Sequence, residues 1–156
     1  MNTSKIDAVY DELAVIQLVN RYTDTVNRKD WDALGNLFCA DGVWDAGGPE
    51  AAPLTFLFTG REQVVAGIRG LVTQLDFHVQ TNHAVVVNVN GDRATASCTL
   101  HELARLPGGT AGQMIYGMYT DDIVRERDNQ WRFAKRKFRF SYIEEITVPG
   151  KAMKLK

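Results

Sequence analysis

From residue 76 onward the apolar residues recur at every second position, in four runs separated by short turns. The runs are FHVQTNHAVVVNV, RATASCTLHELARL, QMIYGMYTDDIVRER and WRFAKRKFRFSYIEE. A period of two marks strands with one covered face, and Asn90-Gly91-Asp92 is a strong hairpin signal. PGGTAG and DNQ supply the other two turns. The pattern predicts an antiparallel meander with strands near 77–90, 93–105, 113–127 and 131–143.

The preceding half of the chain has a different period. Between Asp7 and Arg28, Val15, Val19, Tyr22 and Val26 share one arc of a helical wheel at ~100° per residue. Asn20 and Asn27 sit at the edge of that arc, and Asp24 falls opposite it, toward water. KDWDALGNLF predicts a second helix near 30–39 with Asp30 as its N-cap. The stretch from Ala40 to Pro53 reads as an irregular strand region, LTFLFTG as a short strand, and residues 61–73 as a third helix. The tail ITVPGKAMKLK reads as irregular. Helices first and a meander last define an α+β chain, a curved and mostly antiparallel sheet with its helices on one face. A sheet of that kind, wrapped round a long helix, leaves an open end where a pocket is expected.

At 156 residues the chain reads as one domain spanning 1–156. Eighteen basic and 19 acidic residues leave a formal net charge of -1, which gives no electrostatic footprint for nucleic acid or an anionic membrane. Cys39 and Cys98 match no zinc or redox spacing, and the N-terminal MNTSKIDAVYDELAV lacks an apolar signal core. These features predict a cytoplasmic protein with reduced thiols.

Four segments carry a family resemblance: LVNRYTDTVNRKDWDALGNLFCADGVWD, FTGREQVVAGI, FHVQTNHAVVVNVNGDRATASC and YGMYTDDIVRERDNQWRFAKRKF. Together they resemble the SnoaL-like division of the nuclear transport factor 2-like (cystatin-like cone) superfamily, over Asp11 to about Tyr142. The resemblance implies a cone in which about three N-terminal helices and a strongly curved sheet enclose a pocket. It does not imply one reaction, because the fold hosts dehydratases, a dehydrochlorinase, isomerases, polyketide cyclases and non-catalytic modules. Function must therefore be argued from the site.

By alternation His78, Gln80 and Asn82 share one face of their strand, a line of polar groups suited to a pocket wall. By resemblance His78 takes the place of the dehydratases' catalytic histidine, and an imidazole is a ready base near neutral pH. The alternative is a hydrogen-bonded structural histidine. Asn27 stands where these relatives carry an aspartate, in the pattern Tyr-x4-Asp-x2-Asp-Trp, here Tyr22, Asn27, Asp30 and Trp31. An amide can orient a partner or bind substrate but cannot take a proton, so the family's His–Asp pair is absent as written. Glu102 shares a face with Leu100, Cys98 and Ala96 and lies near an acid of the bile acid dehydratase, as an acid partner or substrate contact. His101 takes the opposite face. Tyr22 is either a carbonyl or oxyanion ligand or a core aromatic. Trp44, Met114, Tyr116, Met118, Phe138 and Phe140, with Tyr142 in the same row, are expected to line an apolar, aromatic-friendly cavity.

The three histidines have no metal-ligand spacing, and no glycine-rich turn opens a phosphate-binding helix, so no metal and no cofactor are expected. RFAKRKFRF alternates its charges across both sheet faces, unlike a nucleic-acid surface. The reading is a small cofactor-free lyase using acid–base chemistry on a hydrophobic or aromatic ring-bearing molecule. An isomerase, an aldol-type cyclase or a non-catalytic binding module are its alternatives. Val85, Val87 and Val89, assigned to an outer sheet face, predict self-association as a homotrimer or homodimer.

Overall fold

The structure, a computed structural model, describes residues 3–51 and 54–153. The chain runs through α1 (Thr3–Arg28), α2 (Trp31–Asn36), β1 (Phe38–Gly47), a 3-10 turn (Pro49–Ala51), β2 (Phe56–Thr59), α3 (Arg61–Thr73), β3 (Phe77–Asn90), β4 (Arg93–Arg105), β5 (Ala111–Arg125) and β6 (Trp131–Thr147). The six strands form one curled, open sheet in the order β2-β1-β6-β5-β4-β3. Every neighbouring pair is antiparallel except β1 and β6, which run parallel. Among the described residues no helix is long and apolar enough to cross a membrane.

The helices follow their apolar arcs. Val15, Val19, Tyr22 and Val26 of α1 are buried against the concave face of the sheet, while Asp24 is exposed and accepts a bond from Arg28 at 2.8 Å. Asp30 caps α2 by accepting from the Ala33 N–H at 3.0 Å. The second helix is shorter than 30–39. It stops at Asn36, and Phe38 opens β1 opposite Phe133, with the Phe133 N–H bonded to the Leu37 carbonyl at 2.8 Å. Gly35 and Asn36 are weak helix formers, and Phe38 is fully buried as a strand residue. Arg61 ties α3 to β1 by donating Nε and Nη2 to the Phe38 carbonyl at 3.0 and 2.7 Å.

Bulges bend the long strands, and each one reverses which alternate residues face inward. In β3 the register shifts between His83 and Val86, where Ala84 has a φ of 51°. Before the bulge His78 and Gln80 face inward; beyond it Val85, Val87 and Val89 do, packing against the core, while Val86 points outward. The expectation that the three valines sit on the outer face is thus corrected, and so is the argument for self-association built on them. In β6 a second shift leaves Ser141 unpaired, between the pairs Tyr116–Tyr142 and Gly117–Phe140. Phe138 and Phe140 turn inward as expected, but Tyr142 turns outward and is half exposed.

Gly117 sits where β5 passes beneath aromatic rings. A Cβ there would fall 2.3 Å from Cζ of Phe138 and 2.6 Å from the Arg139 carbonyl oxygen. Gly117→Ala is expected to destabilise the fold by roughly 1–3 kcal/mol, the usual cost of overpacking, as measured by chemical denaturation. Wild-type stability in this variant would mean that Phe138 is not held over the strand.

Candidate active site

The concave face of the sheet, α1 and α3 enclose a cavity of about 410 Å³. Its walls are mostly aliphatic and aromatic, including Trp44, Phe56, Leu71, Leu100, Phe138 and Phe140, and Leu75, Leu106 and Pro107 stand among the lining residues. Its polar groups include His78, Gln80, Glu102, Gln113, Tyr22 and Tyr119, with Gln74 also in the lining. A second depression of similar size, about 440 Å³, lies among Thr95, Ser97, Thr120, Asp122, Lys135 and Lys137. It is shallower and lacks the aromatic walls of a ligand pocket, so the enclosed cavity is the better candidate site.

Met114, Tyr116 and Met118 do not line the cavity. The inward residues of β5 are Gln113, Ile115, Gly117, Tyr119 and Asp121, one phase away from the expected set. Met118 is half exposed, and Tyr116 stacks on His101 with ring centroids 4.5 Å apart on the outside of the sheet. Both phases of QMIYGMY carry large apolar side chains, so alternation alone does not decide between them.

His78 and Glu102 meet diagonally across two strands. Gln80 pairs with Glu102 and His78 with Ala104, so the small Ala104 leaves room for the imidazole to reach the carboxylate. Nε2 of His78 lies 3.3 Å from Oε2 of Glu102. The histidine side chain is 3% exposed and the glutamate 22%, so the carboxylate is the more accessible member. Nδ1 of His78 is buried with no hydrogen-bond partner among the described residues. A neutral imidazole with its proton on Nε2 would turn an N–H toward the carboxylate 3.3 Å away and leave only a lone pair unpaired at Nδ1. The other tautomer would bury an unpaired N–H and set a lone pair against the carboxylate, which is costlier.

Asn27 does not line the cavity. Its Nδ2 donates to the Gln80 carbonyl at 2.8 Å, and its Oδ1 accepts from the Gln80 N–H at 2.9 Å. Seven residues earlier on the same helix edge, Asn20 Oδ1 accepts from Asn82 Nδ2 at 2.8 Å. Together they clamp α1 to the strand that carries His78. The clamp needs a donor and an acceptor on one side chain, which an amide has and a carboxylate lacks.

At the inner end of the cavity Tyr22 Oη lies 3.2 Å from Tyr119 Oη, and the Trp44 indole N–H donates to Tyr22 Oη at 3.0 Å. Beneath the rings lies Arg136, fully buried, with its guanidinium carbon 4.2, 3.8 and 4.6 Å from the ring centroids of Tyr22, Tyr119 and Phe133. Its Nη1 donates to Asp121 Oδ2 at 3.1 Å, across directly opposed positions of β5 and β6. Burial pushes the Tyr22 phenol up to about 12 and Tyr119 well above its ordinary value, so both stay protonated. Burial also raises the Asp121 carboxyl to about 6, against the pull of Arg136. Tyr119, Arg136 and Asp121 were not among the residues expected from sequence. Their signal was parity: Arg136 falls in the row of Phe138 and Phe140, and Asp121 in the row of Tyr119 and Ile123.

The curled sheet, the three helices and the enclosed cavity define a cone of the nuclear transport factor 2-like type. Residues 7–137 match the model of the SnoaL-like domain, and the chain belongs to that family. It is similar in structure to a candidate scytalone dehydratase from Novosphingobium aromaticivorans, with a TM-score of 0.76 at 21% identity over 94% of this chain and 97% of that one. A hexachlorocyclohexane dehydrochlorinase, LinA-type3 from Novosphingobium barchaimii, superposes with a TM-score of 0.79 at 18% identity, covering 91% and 94%. A LinA Type2 dehydrochlorinase reaches 0.81 at 16% identity, covering 96% and 97%. No curated protein matches the chain in sequence.

Replacing the amide of Asn27 tests the clamp. Asn27→Asp removes the donor to the Gln80 carbonyl and sets two acceptors face to face. It is expected to cost roughly 1–3 kcal/mol of stability in chemical denaturation, the penalty of an unsatisfied buried polar group. An Asn27→Asp variant as stable as the wild type would show that the clamp does not hold α1 to β3.

Proposed function

We propose that the chain is a cofactor-free enzyme of the lyase type. It removes a proton from a hydrophobic, ring-bearing small molecule in the cavity, with loss of water or another small leaving group. The observation that carries this reading is the His78–Glu102 pair, 3.3 Å apart on the wall of an otherwise apolar enclosure. Glu102, the more exposed, takes the proton, and His78 orients the carboxylate through Nε2 and shares the charge. The mostly apolar walls lower the polarity around the pair, which strengthens the electrostatic contact between its members. Asn27 acts at one remove by fixing the strand that carries His78. The dehydratase and dehydrochlorinase names of structurally similar proteins support elimination over the isomerase and cyclase alternatives. The open cavity weighs against a non-catalytic module with a filled cone.

Self-association as a homotrimer or homodimer belongs to the same proposal on a new basis. Tyr116, Met118 and Tyr142 expose apolar surface on the outside of the sheet. Light scattering is expected to show an oligomer that persists on dilution, and a monomer at all concentrations would contradict it.

The catalytic test uses one- and two-ring hydroxyketones and halogenated cyclohexanes, first for thermal stabilisation and then for turnover. On a compound that turns over, Glu102→Gln and His78→Gln are each expected to lower kcat by roughly 10²–10⁴-fold. The double variant should be scarcely worse than either single one, because the two groups act as a unit. Full activity in both single variants would sink the assignment.

A further inference from the structure

An uncharged amide stands beside the His78–Glu102 pair with no partner of its own. Gln80 is 3% exposed and lines the cavity. Its backbone N–H and carbonyl are both taken by Asn27, so the strand is fixed at this residue without help from the side chain. The side-chain amide makes no hydrogen bond among the described residues. A buried amide without a partner costs stability, yet an inward strand position that could hold a valine or leucine carries one here. Gln80 lies directly opposite Glu102 in the register of β3 and β4, and His78 is the next inward residue of β3. Side chains so opposed have Cβ atoms about 4.5–5.5 Å apart. When one ligand carbon faces Glu102, the substituent on the adjoining carbon is therefore within reach of the amide.

We propose that the Gln80 amide is the subsite for a hydroxyl on the ligand carbon next to the one that loses its proton, so that this cavity selects water over halide as the leaving group. A primary amide offers two N–H donors and a carbonyl acceptor. A hydroxyl answers both, giving its hydrogen to the Gln80 carbonyl and accepting from an N–H. A chlorine has no hydrogen to give and leaves the amide oxygen buried and unpaired. Sites built to bond a substrate hydroxyl discriminate strongly on this ground. The inference rests on the reading of Glu102 as the proton acceptor and names the leaving group for it. In the step, the C–H electron pair forms the new double bond and the C–O pair departs with the oxygen. The proton taken by Glu102 passes to that oxygen, so one water leaves and the carboxylate is restored. The Gln80 N–H stays on the oxygen while negative charge builds there, and stabilises it most at that point.

The probes are indan-2-ol, 2-chloroindane and indane, which share a ring system and differ at one substituent. None carries a carbonyl to acidify a C–H, so binding is read without turnover. Calorimetric titration of the full chain is expected to show indan-2-ol binding more tightly than 2-chloroindane, although the chloride is the more apolar of the two. Gln80→Met keeps the length of the side chain and removes its polar amide. In that variant indan-2-ol should weaken by roughly 5–15-fold, the range of a buried hydrogen bond, while 2-chloroindane and indane hold or tighten. Equal changes on alcohol and chloride, no loss of the alcohol in Gln80→Met, or no preference for the alcohol in the wild type overturns the proposal. Should Gln80→Met fail to fold, the wild-type order of the three ligands still decides. Glu102→Gln should keep the preference for the alcohol. If that variant also keeps full turnover, the proton-transfer reading fails while the hydroxyl subsite stands; a wild type indifferent to the hydroxyl fails the subsite alone.

Discussion

A guanidinium with no exposed surface has to be neutralised and wrapped, and in this fold that requirement falls on Arg136. Asp121 meets it from the directly opposed position on β5, and three aromatic faces cover it. Those faces belong to α1, β5 and β6, so one cation brings together the helix and the two strands that close the inner end of the cone. Two of the rings it holds, Tyr22 and Tyr119, also line the inner end of the cavity. Trp44, on β1 opposite Arg136, completes the set by bonding to Tyr22.

Above that inner end the cavity depends on where the strands break register. The bulge at Ala84 lets β3 show polar residues to the cavity at one end and valines to the core at the other. The unpaired Ser141 does the same for β6, turning Phe140 in and Tyr142 out. Without these shifts a strict alternation would send either the pocket wall or the core to the surface. The asparagines of α1 then fix the polar end of β3 through its backbone and the Asn82 side chain, leaving the inward side chains of His78 and Gln80 facing the cavity.

The architecture was readable in the sequence because its signals are local: period two with Asn-Gly-Asp turns, one apolar arc on the first helix, and the motif that places the chain in its family. His78, Glu102, Phe138 and Phe140 were read from strand parity and resemblance, Tyr22 from the apolar arc of the first helix and the family pattern, and Trp44 from its aromatic character, and all line the cavity. Met114, Tyr116 and Met118 were misplaced because β5 is apolar in both phases. Val85, Val87 and Val89 were misplaced because a bulge at an alanine leaves no mark in sequence. Asn27 was legible as a departure from the family pattern, but its partner, a backbone unit 53 positions away, was not. The Arg136 cluster was hidden among the other charges of RFAKRKFRF, where only its shared parity with the aromatics set it apart.

The proposed chemistry rests on one proton arrangement, a His78 imidazole that carries its proton on Nε2, the atom facing the Glu102 carboxylate. Nitrogen-15 shifts of the histidine ring report the tautomer directly. Neutral His78 is expected to carry its proton on Nε2 in the wild type, and Glu102→Gln to change its ring shifts while leaving those of His83 in place. A proton on Nδ1, or a His78 spectrum indifferent to Glu102→Gln, would contradict it.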